Sequence, residues 1–384
     1  RKPRVVPSTS VSSNSRIRLS AAIAGIAALA IPLAACGSDT EGEVVAGMGN
    51  ATPMPAAGAP ADDPAGEVVD LDKTITGALV VGDRILLRSG PEVLSGTPDD
   101  PEMKSNEVDE ACGDLAPAGN VAVLPCPDGI HVLAEDGSGT AVIGRGTPYS
   151  AAVGLSDGRI VGHRSDSDRV DVFGADGEHA DDFAVSRHGS QLLSVPSTRE
   201  SAVLLEVNRP ETSIHEIILD ESRPGSGLRA GIGVGPADVG EDGTVAAVDT
   251  KGGQLLIYTA GDVVRLHNST PVPEGPWAVA VDSARQLVWV TSTVDGVLTA
   301  YDISTGTALK AAQVPLIADA QALVVTDDGG LVAYSASGAG AQHLTSGDVE
   351  EALEEGKSDL DAERKLMEPR EPKDRLPAGD AEGE

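Results

Sequence analysis

The chain is built from short apolar runs cut by turn residues. Ala78-Leu-Val-Val81 and Ile85-Leu-Leu87 flank Gly82-Asp83, and Val153-Gly-Leu155 and Ile160-Val-Gly162 flank Asp157-Gly158. Val170-Asp-Val-Phe173 alternates apolar and polar positions and then meets Asp176-Gly177. Short Val/Leu/Ile runs closed by such dipeptides predict antiparallel strands joined by tight turns. No helical period precedes Gly347.

The runs repeat. Pro276–Gly306 reads as three strands with turns at Asp282, Asp295-Gly296 and Ser304-Thr305-Gly306, and a fourth strand follows near Ala308–Val314. Similar copies occupy Pro236–Tyr258 and Gln321–Tyr334. Their first-turn aspartates Asp242, Asp282 and Asp327 lie 40 and 45 residues apart. An upstream copy turns at Asp157, and a degenerate one passes through Ser197-Thr198. Four strands per roughly 40–50 residues is the period of a β-propeller. Each small sheet cannot bury its faces alone, and packing against neighbours around an axis does so. The expected fold of residues 67–346 is therefore an all-β β-propeller with seven four-stranded blades. Six or eight blades, a solenoid and paired sandwiches are the alternatives. The Glu67–Leu71 strand is placed to close the ring in the last blade.

The flanks differ in character. Arg1, Lys2, Arg4, Arg16 and Arg18 precede the apolar stretch Ala21–Leu33, which ends in Leu33-Ala34-Ala35-Cys36. A basic leader, an apolar run too short for a comfortable span and small residues before a cysteine predict a lipoprotein signal peptide over 1–35. Cleavage between Ala35 and Cys36 would leave the Cys36 thiol to carry diacylglycerol. The protein would then be anchored at the extracytoplasmic side of the cell membrane. Residues 36–66, rich in Gly, Ala, Pro and acid, are expected to form a flexible linker after that cysteine. Residues 347–384 are expected to be an acidic tail, helical in part on the domain surface and then disordered.

Composition narrows the partners. The formal net charge is −32, which repels phosphate backbones and excludes nucleic acid as an expected partner. Only 2% of residues are aromatic, so broad stacking platforms are not expected, although Trp277 and Trp289 could supply one. With Cys36 taken by lipid, Cys112 and Cys126 form an even pair, which outside the cytoplasm is expected as a disulfide. A metal site there lacks a neighbouring His or Cys cluster, and His131 stands alone in a strand.

Motifs for chemistry are sparse. There is no phosphate loop, His-Glu-x-x-His or Gly-x-Ser-x-Gly elbow. Gly231-Ile-Gly-Val-Gly235 lacks the helix that a nucleotide site needs. Asp166, Asp168 and Asp171 lack the glycine and terminal Glu of a calcium loop, which favours a solvated turn. His163, His179, His188 and His215 could bind zinc if a propeller mouth gathered them. Glu206, Asn208 and Asp249 are the residue types of a carboxylate–Asn metal site in an axial channel.

Pro276–Gly306 is similar to the YVTN-type propeller repeat. Val288-Trp289-Val290-Thr291 stands at that family's Tyr-Val-Thr-Asn strand, and Tyr301-Asp302 precedes the Thr-Gly turn; Trp289 and Ser292 depart from it. The chain also resembles LppL-type lipoproteins of mycobacteria and related actinobacteria. The residues that carry this are Val248-Asp-Thr-Lys-Gly-Gly-Gln-Leu-Leu-Ile-Tyr258, Leu287-Val-Trp-Val290, Ala300-Tyr-Asp-Ile-Ser-Thr-Gly306, Ser335-Ala-Ser-Gly-Ala-Gly-Ala341 and the Leu33–Cys36 segment. The likeness covers the C-terminal third and fades over Glu67–Ile232. It implies an envelope lipoprotein with a propeller and carries over no catalytic residue.

The expected function is a membrane-anchored binding or scaffold module, monomeric and without a cofactor. It would take an envelope protein or a small molecule on a propeller face or in the channel. The alternatives are a channel-metal-dependent hydrolase of the lactonase kind and a metal-binding chaperone.

Overall fold

The computed structural model describes residues 47–56, 63–97, 103–197, 202–261 and 263–367. Ala35, Cys36 and the whole 1–35 signal lie outside the described residues, as does the chain after Met367.

The strands form seven four-stranded antiparallel sheets, each a blade of one propeller. Blades 1 to 6 span residues 77–107, 116–143, 149–184, 191–229, 234–271 and 276–315, and each runs from its first strand at the axis outward to its fourth. Blade 7 takes three strands from residues 320–344 and its outermost from Glu67–Val69. That strand pairs Glu67 with His343, Val68 with Gln342 and Val69 with Ala341, so the two ends of the repeat array close the ring.

Alternation within each strand builds the interfaces between blades. In blade 4, Val203, Leu205 and Val207 pack toward blade 5, while Leu204 packs toward Val161, Val170 and Val172 of blade 3. Between blades 5 and 6, Val248, Leu255 and Ile257 meet Val279, Val288, Val290 and Tyr301. Trp289, Tyr258 and Tyr334 are the bulkiest fully buried side chains. The turns use carboxylates as caps: Asp136, Asp157, Asp176, Asp242, Asp302 and Asp328 each accept the backbone N–H two residues on, at 2.8–3.2 Å. In the last blade this role falls to Asp328, not to the preceding Asp327 that the repeat spacing selected. A disulfide joins Cys112, in the loop entering blade 2, to Cys126 at the end of that blade's second strand.

Two flanking segments differ from expectation. The stretch read as a flexible linker is, over residues 47–56, a strap held on the propeller. Gly49 N–H donates to the Ile232 carbonyl (2.9 Å) and Asn50 N–H to the Arg209 carbonyl (3.0 Å). Lys251 Nζ donates to the Gly49 carbonyl (2.6 Å), and Thr293 Oγ1 to the Met54 carbonyl (2.6 Å). Ala51 is buried in the cluster that holds Trp277. The composition that suggests a loose linker is also what lets a strap lie flat: a Cβ on Gly49 would sit 1.9 Å from the Pro210 carbonyl oxygen.

The second segment is helix α1 (Ser346–Met367), longer than the short surface helix expected. It opens with a reciprocal cap, in which Thr345 N–H and Oγ1 donate to Asp348 Oδ2 and Asp348 N–H donates back to Thr345 Oγ1. Val349, Ala352 and Leu360 are buried, and Gly356 continues their stripe at helical spacing. Gly356 lies against Ala311 of blade 6, where an added Cβ would be 1.9 Å from the Ala311 carbonyl oxygen. The far end is fixed by an ion pair between Arg364 and Asp302.

One seam between blades breaks its own apolar pattern. Glu206 sits on the Leu204 face of blade 4 and His163 on the Val161 face of blade 3, and both are fully buried. Glu206 Oε1 accepts the Ser186 hydroxyl, while Oε2 has no hydrogen-bond partner and lies 3.8 Å from His163 Nε2. The His163 ring nitrogens meet the Arg164 carbonyl (2.8 Å) and the Ser186 carbonyl (3.1 Å). Burial pushes the Glu206 carboxyl up to about 7 and holds the His163 imidazole below its ordinary value.

Two outcomes follow from these contacts. Gly356→Ala should lift α1 from blade 6, at a cost of about 1–3 kcal/mol typical of overpacking. Limited proteolysis should then release the C-terminal segment, whereas unchanged resistance would mean that the contact at Ala311 is unimportant. At the Glu206 seam, the folded state keeps a proton that the unfolded chain releases near pH 4.5. Raising the pH from there to about 7 therefore favours unfolding, by about 3 kcal/mol in all. Glu206→Gln should abolish that fall and melt higher than the parent at pH 8, with little difference at pH 4.5. Because His163 titrates in the opposite sense, the comparison of variant with parent isolates the carboxyl.

Candidate functional site

The first strands of all seven blades face a common axis and enclose a channel of about 460 Å³. That volume is in the range of small-molecule sites. The penultimate residue of every first strand lines it. These are Val80, Pro117, Val153, Val281 and Val324, with Ser194 and Asp238 completing the ring. The opposite end, where the first strands begin, carries Thr76, Asp114, Ser150, Ser190, Trp277 and Gln321. The bore thus has a polar mouth at one end and, near the other, a mostly apolar ring interrupted by Ser194 and Asp238, with Glu241 beyond it.

An inner strand has no neighbour on its axial side, so its backbone groups must find partners elsewhere. Side chains stitch successive blades together from blade 3 to blade 7. Ser150 Oγ donates to the Gly189 carbonyl (2.7 Å), joining blade 3 to the loop into blade 4. The Gln191 amide both donates to the Ala237 carbonyl (2.7 Å) and accepts from its N–H (3.1 Å). Asp238 Oδ2 accepts the Val281 N–H (2.8 Å), and burial raises the Asp238 carboxyl above the usual carboxylate range. Thr291 Oγ1 accepts from Ala278 N–H (3.0 Å) and donates to the Ala320 carbonyl (2.9 Å). Gln191 and Asp238 therefore have structural duties in the channel wall.

Arg209 is the residue that defines the mouth, and sequence reading did not single it out. Its backbone belongs to the turn between the second and third strands of blade 4. Its N–H donates to Ser190 Oγ (3.3 Å), and its carbonyl takes the strap's Asn50 N–H. The side chain reaches toward two other blades. The guanidinium carbon lies 5.9 Å from the Trp277 ring centroid in blade 6, and Nη2 lies 3.4 Å from Asp114 Oδ2 beside blade 2. A cation over an indole face is attracted by the ring quadrupole.

The residues singled out earlier lie elsewhere. Glu206 and His163 are in the buried seam of blades 3 and 4. Asn208 holds the Arg187 carbonyl (2.5 Å) and the Glu211 N–H (3.0 Å). Asp249 accepts the N–H groups of Ile232, Gly233 and Gly252 at 2.8–3.0 Å. Two amides of the Gly231–Gly235 stretch, Ile232 and Gly233, are thus turned onto the protein's own carboxylate. None of these side chains lines the channel. His163, His179, His188 and His215 are not brought together at a mouth: His179 is on an outer strand, and His215 is in a third strand beside Ser213. Asp171, expected in a solvated turn, is buried. Arg164 grips it through two hydrogen bonds (2.9 and 2.5 Å), and the Tyr149 hydroxyl donates to it (2.6 Å). His131 lies 2.8 Å from Asp128, and Trp289 is enclosed in the core.

Among the described residues, two groups have the composition of a metal site. Cys126–Asp128–His131 contains a disulfide sulfur, and Asp171–His179–Asp182 is already engaged by Arg164 and Arg169. Neither group lines the channel.

No protein-family model matches the sequence, and no curated protein is similar to it at a significant level. In structure the chain is similar to a streptogramin B lyase, with a TM-score of 0.57 at 14% identity, over 74% of this chain and 96% of that one. It is similar to the hydrazine synthase of Kuenenia stuttgartiensis, with a TM-score of 0.57 at 12% identity, over 73% and 97%. It is also similar to the WD40 repeats of RRP9, with a TM-score of 0.56 at 13% identity, over 75% and 99%. At these identities the likeness establishes the architecture alone: the chain is a seven-bladed β-propeller.

Proposed function

We propose that the protein is an extracytoplasmic lipoprotein whose propeller binds a small molecule in its axial channel. The observation that carries the binding role is the channel itself, which joins a polar mouth to a bore with apolar side chains along its middle. A pocket of this size with apolar side chains along its middle and polar groups toward its two ends suits an oriented ligand. Asp114, Asp238 and the nearby Glu241 do not offer the three convergent ligands that a channel metal needs, so the binding role is preferred to a hydrolase.

Anchoring rests on the basic leader, the apolar run and Leu33-Ala34-Ala35-Cys36. The disulfide accords with an oxidising compartment. Among the described residues, no helix is long and apolar enough to cross a membrane. In this reading attachment falls to acyl chains on Cys36.

Cys36→Ala should release the protein into the medium or leave an unprocessed precursor. A mature, membrane-bound product would refute the anchor. For the channel, N-phenyl-1-naphthylamine, an uncharged fluorophore, should bind the mature chain at one site. The protein for this test starts at residue 36, carries Cys36→Ala and is kept free of detergent. Ala78→Phe and Val281→Phe, each tested with its melting temperature as a folding control, should abolish that binding. Absence of a saturable site, or a site that survives both substitutions, would overturn the reading.

A further inference from the structure

The Arg209 guanidinium is an incompletely paired fork. A guanidinium offers five N–H donors, yet the Arg209 Nε is buried without a hydrogen-bond partner. Among the described residues, its contact with a carboxylate is the long one from Nη2 to Asp114, at 3.4 Å, and the Asp114 side chain is 60% exposed. Other arginines of this acidic chain are better matched. Arg164 holds Asp171 through Nε and Nη2 together, Arg169 does the same with Asp182, and Arg285 lies 2.9 Å from Asp282.

Three further features orient the site. The guanidinium lies over the Trp277 ring, the strap's Asn50 N–H donates to the Arg209 carbonyl, and Ala51 and Trp277 belong to one buried cluster. Below the mouth, the wall side chains are chiefly Ala, Val, Leu and Pro, with no aromatic ring deeper than Trp277. A flat aromatic body would find no stacking partner there, and an aliphatic chain would find apolar side chains along the middle of the bore, before Ser194, Asp238 and Glu241 at its far end. A first strand of six residues gives the bore a length of roughly 20 Å.

We propose that the channel receives a single-chain aliphatic anion, with its carboxylate or phosphate head on Arg209 and its tail along the bore. This rests on the channel-binding reading above and adds the ligand's charge and shape. The head would take the two Nη donors at the end of the fork, since Nε is closed off; end-on contact to both is a bidentate geometry that a guanidinium makes with either anion. Asp114 would turn back to solvent as the ligand replaces it.

The test is displacement of bound N-phenyl-1-naphthylamine by decanoate, decyl phosphate, decanol and decylamine, matched in chain length. Decanoate or decyl phosphate should displace the probe at a concentration at least tenfold lower than decanol, and decylamine should be weakest. The two anionic arms identify which head group is preferred. Shortening decanoate to octanoate should weaken displacement about tenfold, as expected for two buried methylenes. Arg209→Gln should bring decanoate down to the level of decanol, and Arg209→Lys should restore part of the difference, since a lysine keeps the charge without the fork. Equal displacement by decanoate, decyl phosphate and decanol, or an advantage that survives Arg209→Gln, would overturn the anion assignment and leave channel binding standing. Failure of the probe itself to bind would instead remove the channel reading on which it rests.

Discussion

Ring closure is the constraint on which this structure depends. A four-stranded sheet with two apolar faces is stable here because a neighbour covers each face, and the last neighbour exists only if the array meets its own beginning. The seal is three residues long, Glu67–Val69 against 341–343. Gln342, fully buried, reinforces it. Its Oε1 accepts the Ile317 N–H (2.8 Å), and its Nε2 donates to the Ala65 and Pro315 carbonyls (2.8 and 2.9 Å). One side chain thus ties the exit of blade 6 and the segment entering the closing strand to blade 7. Ile75 N–H continues the seal to blade 1 through the Ser335 carbonyl (2.8 Å).

Closure also dictates where a ligand can go. Seven sheets meeting at an axis leave their first strands as uncovered inner edges, and these need polar partners. Ser150, Gln191, Asp238 and Thr291 supply them by reaching from blade to blade. Those duties remove several polar groups from the set free to bind a ligand. Arg209 differs because it enters from a turn in the second layer of a blade and belongs to no such stitch. Ring geometry, not sequence proximity, brings it to Trp277 and Asp114.

This explains which parts were legible in the sequence. Blade number and strand order followed from turn spacing, because each blade is a local hairpin series with a period of its own. Even there the spacing chose Asp327 where the capping group is Asp328, since adjacent aspartates are equivalent in a pattern and differ only in backbone position. The strap and α1 were read too loosely for a shared reason. Gly49 and Gly356 look like flexibility in a sequence, yet each marks a carbonyl close enough to forbid a side chain. Glu206 carried a signal in its alternation, as an acid on the same face as Leu204, but its partner His163 lies in another blade. Arg209 carried no local signal, because its contacts span three blades.

The acidity of the chain at first opposes an anionic ligand, and magnitudes decide the matter. Several of the 60 acidic residues are turn caps whose charge is spread over the loops of the ring. At physiological salt the potential of a distant exposed charge decays over roughly 8–10 Å, so most of those loops act weakly at the mouth. Asp114 is the nearby competitor, and an exposed acid held by one long contact is a weak one: exposed pairs are typically worth about 0.2–1 kcal/mol. Hydrogen bonds from a guanidinium to a charged head group are worth about 1.5–3 kcal/mol, more than the exposed pair that they replace. The local balance therefore favours a single head group on Arg209. An extended polyanion is treated differently, because it would have to lie across many acidic turns to reach one guanidinium. Overall charge and the mouth thus act together as a filter that admits one anionic group at the end of an apolar chain and turns away polymers of the same charge.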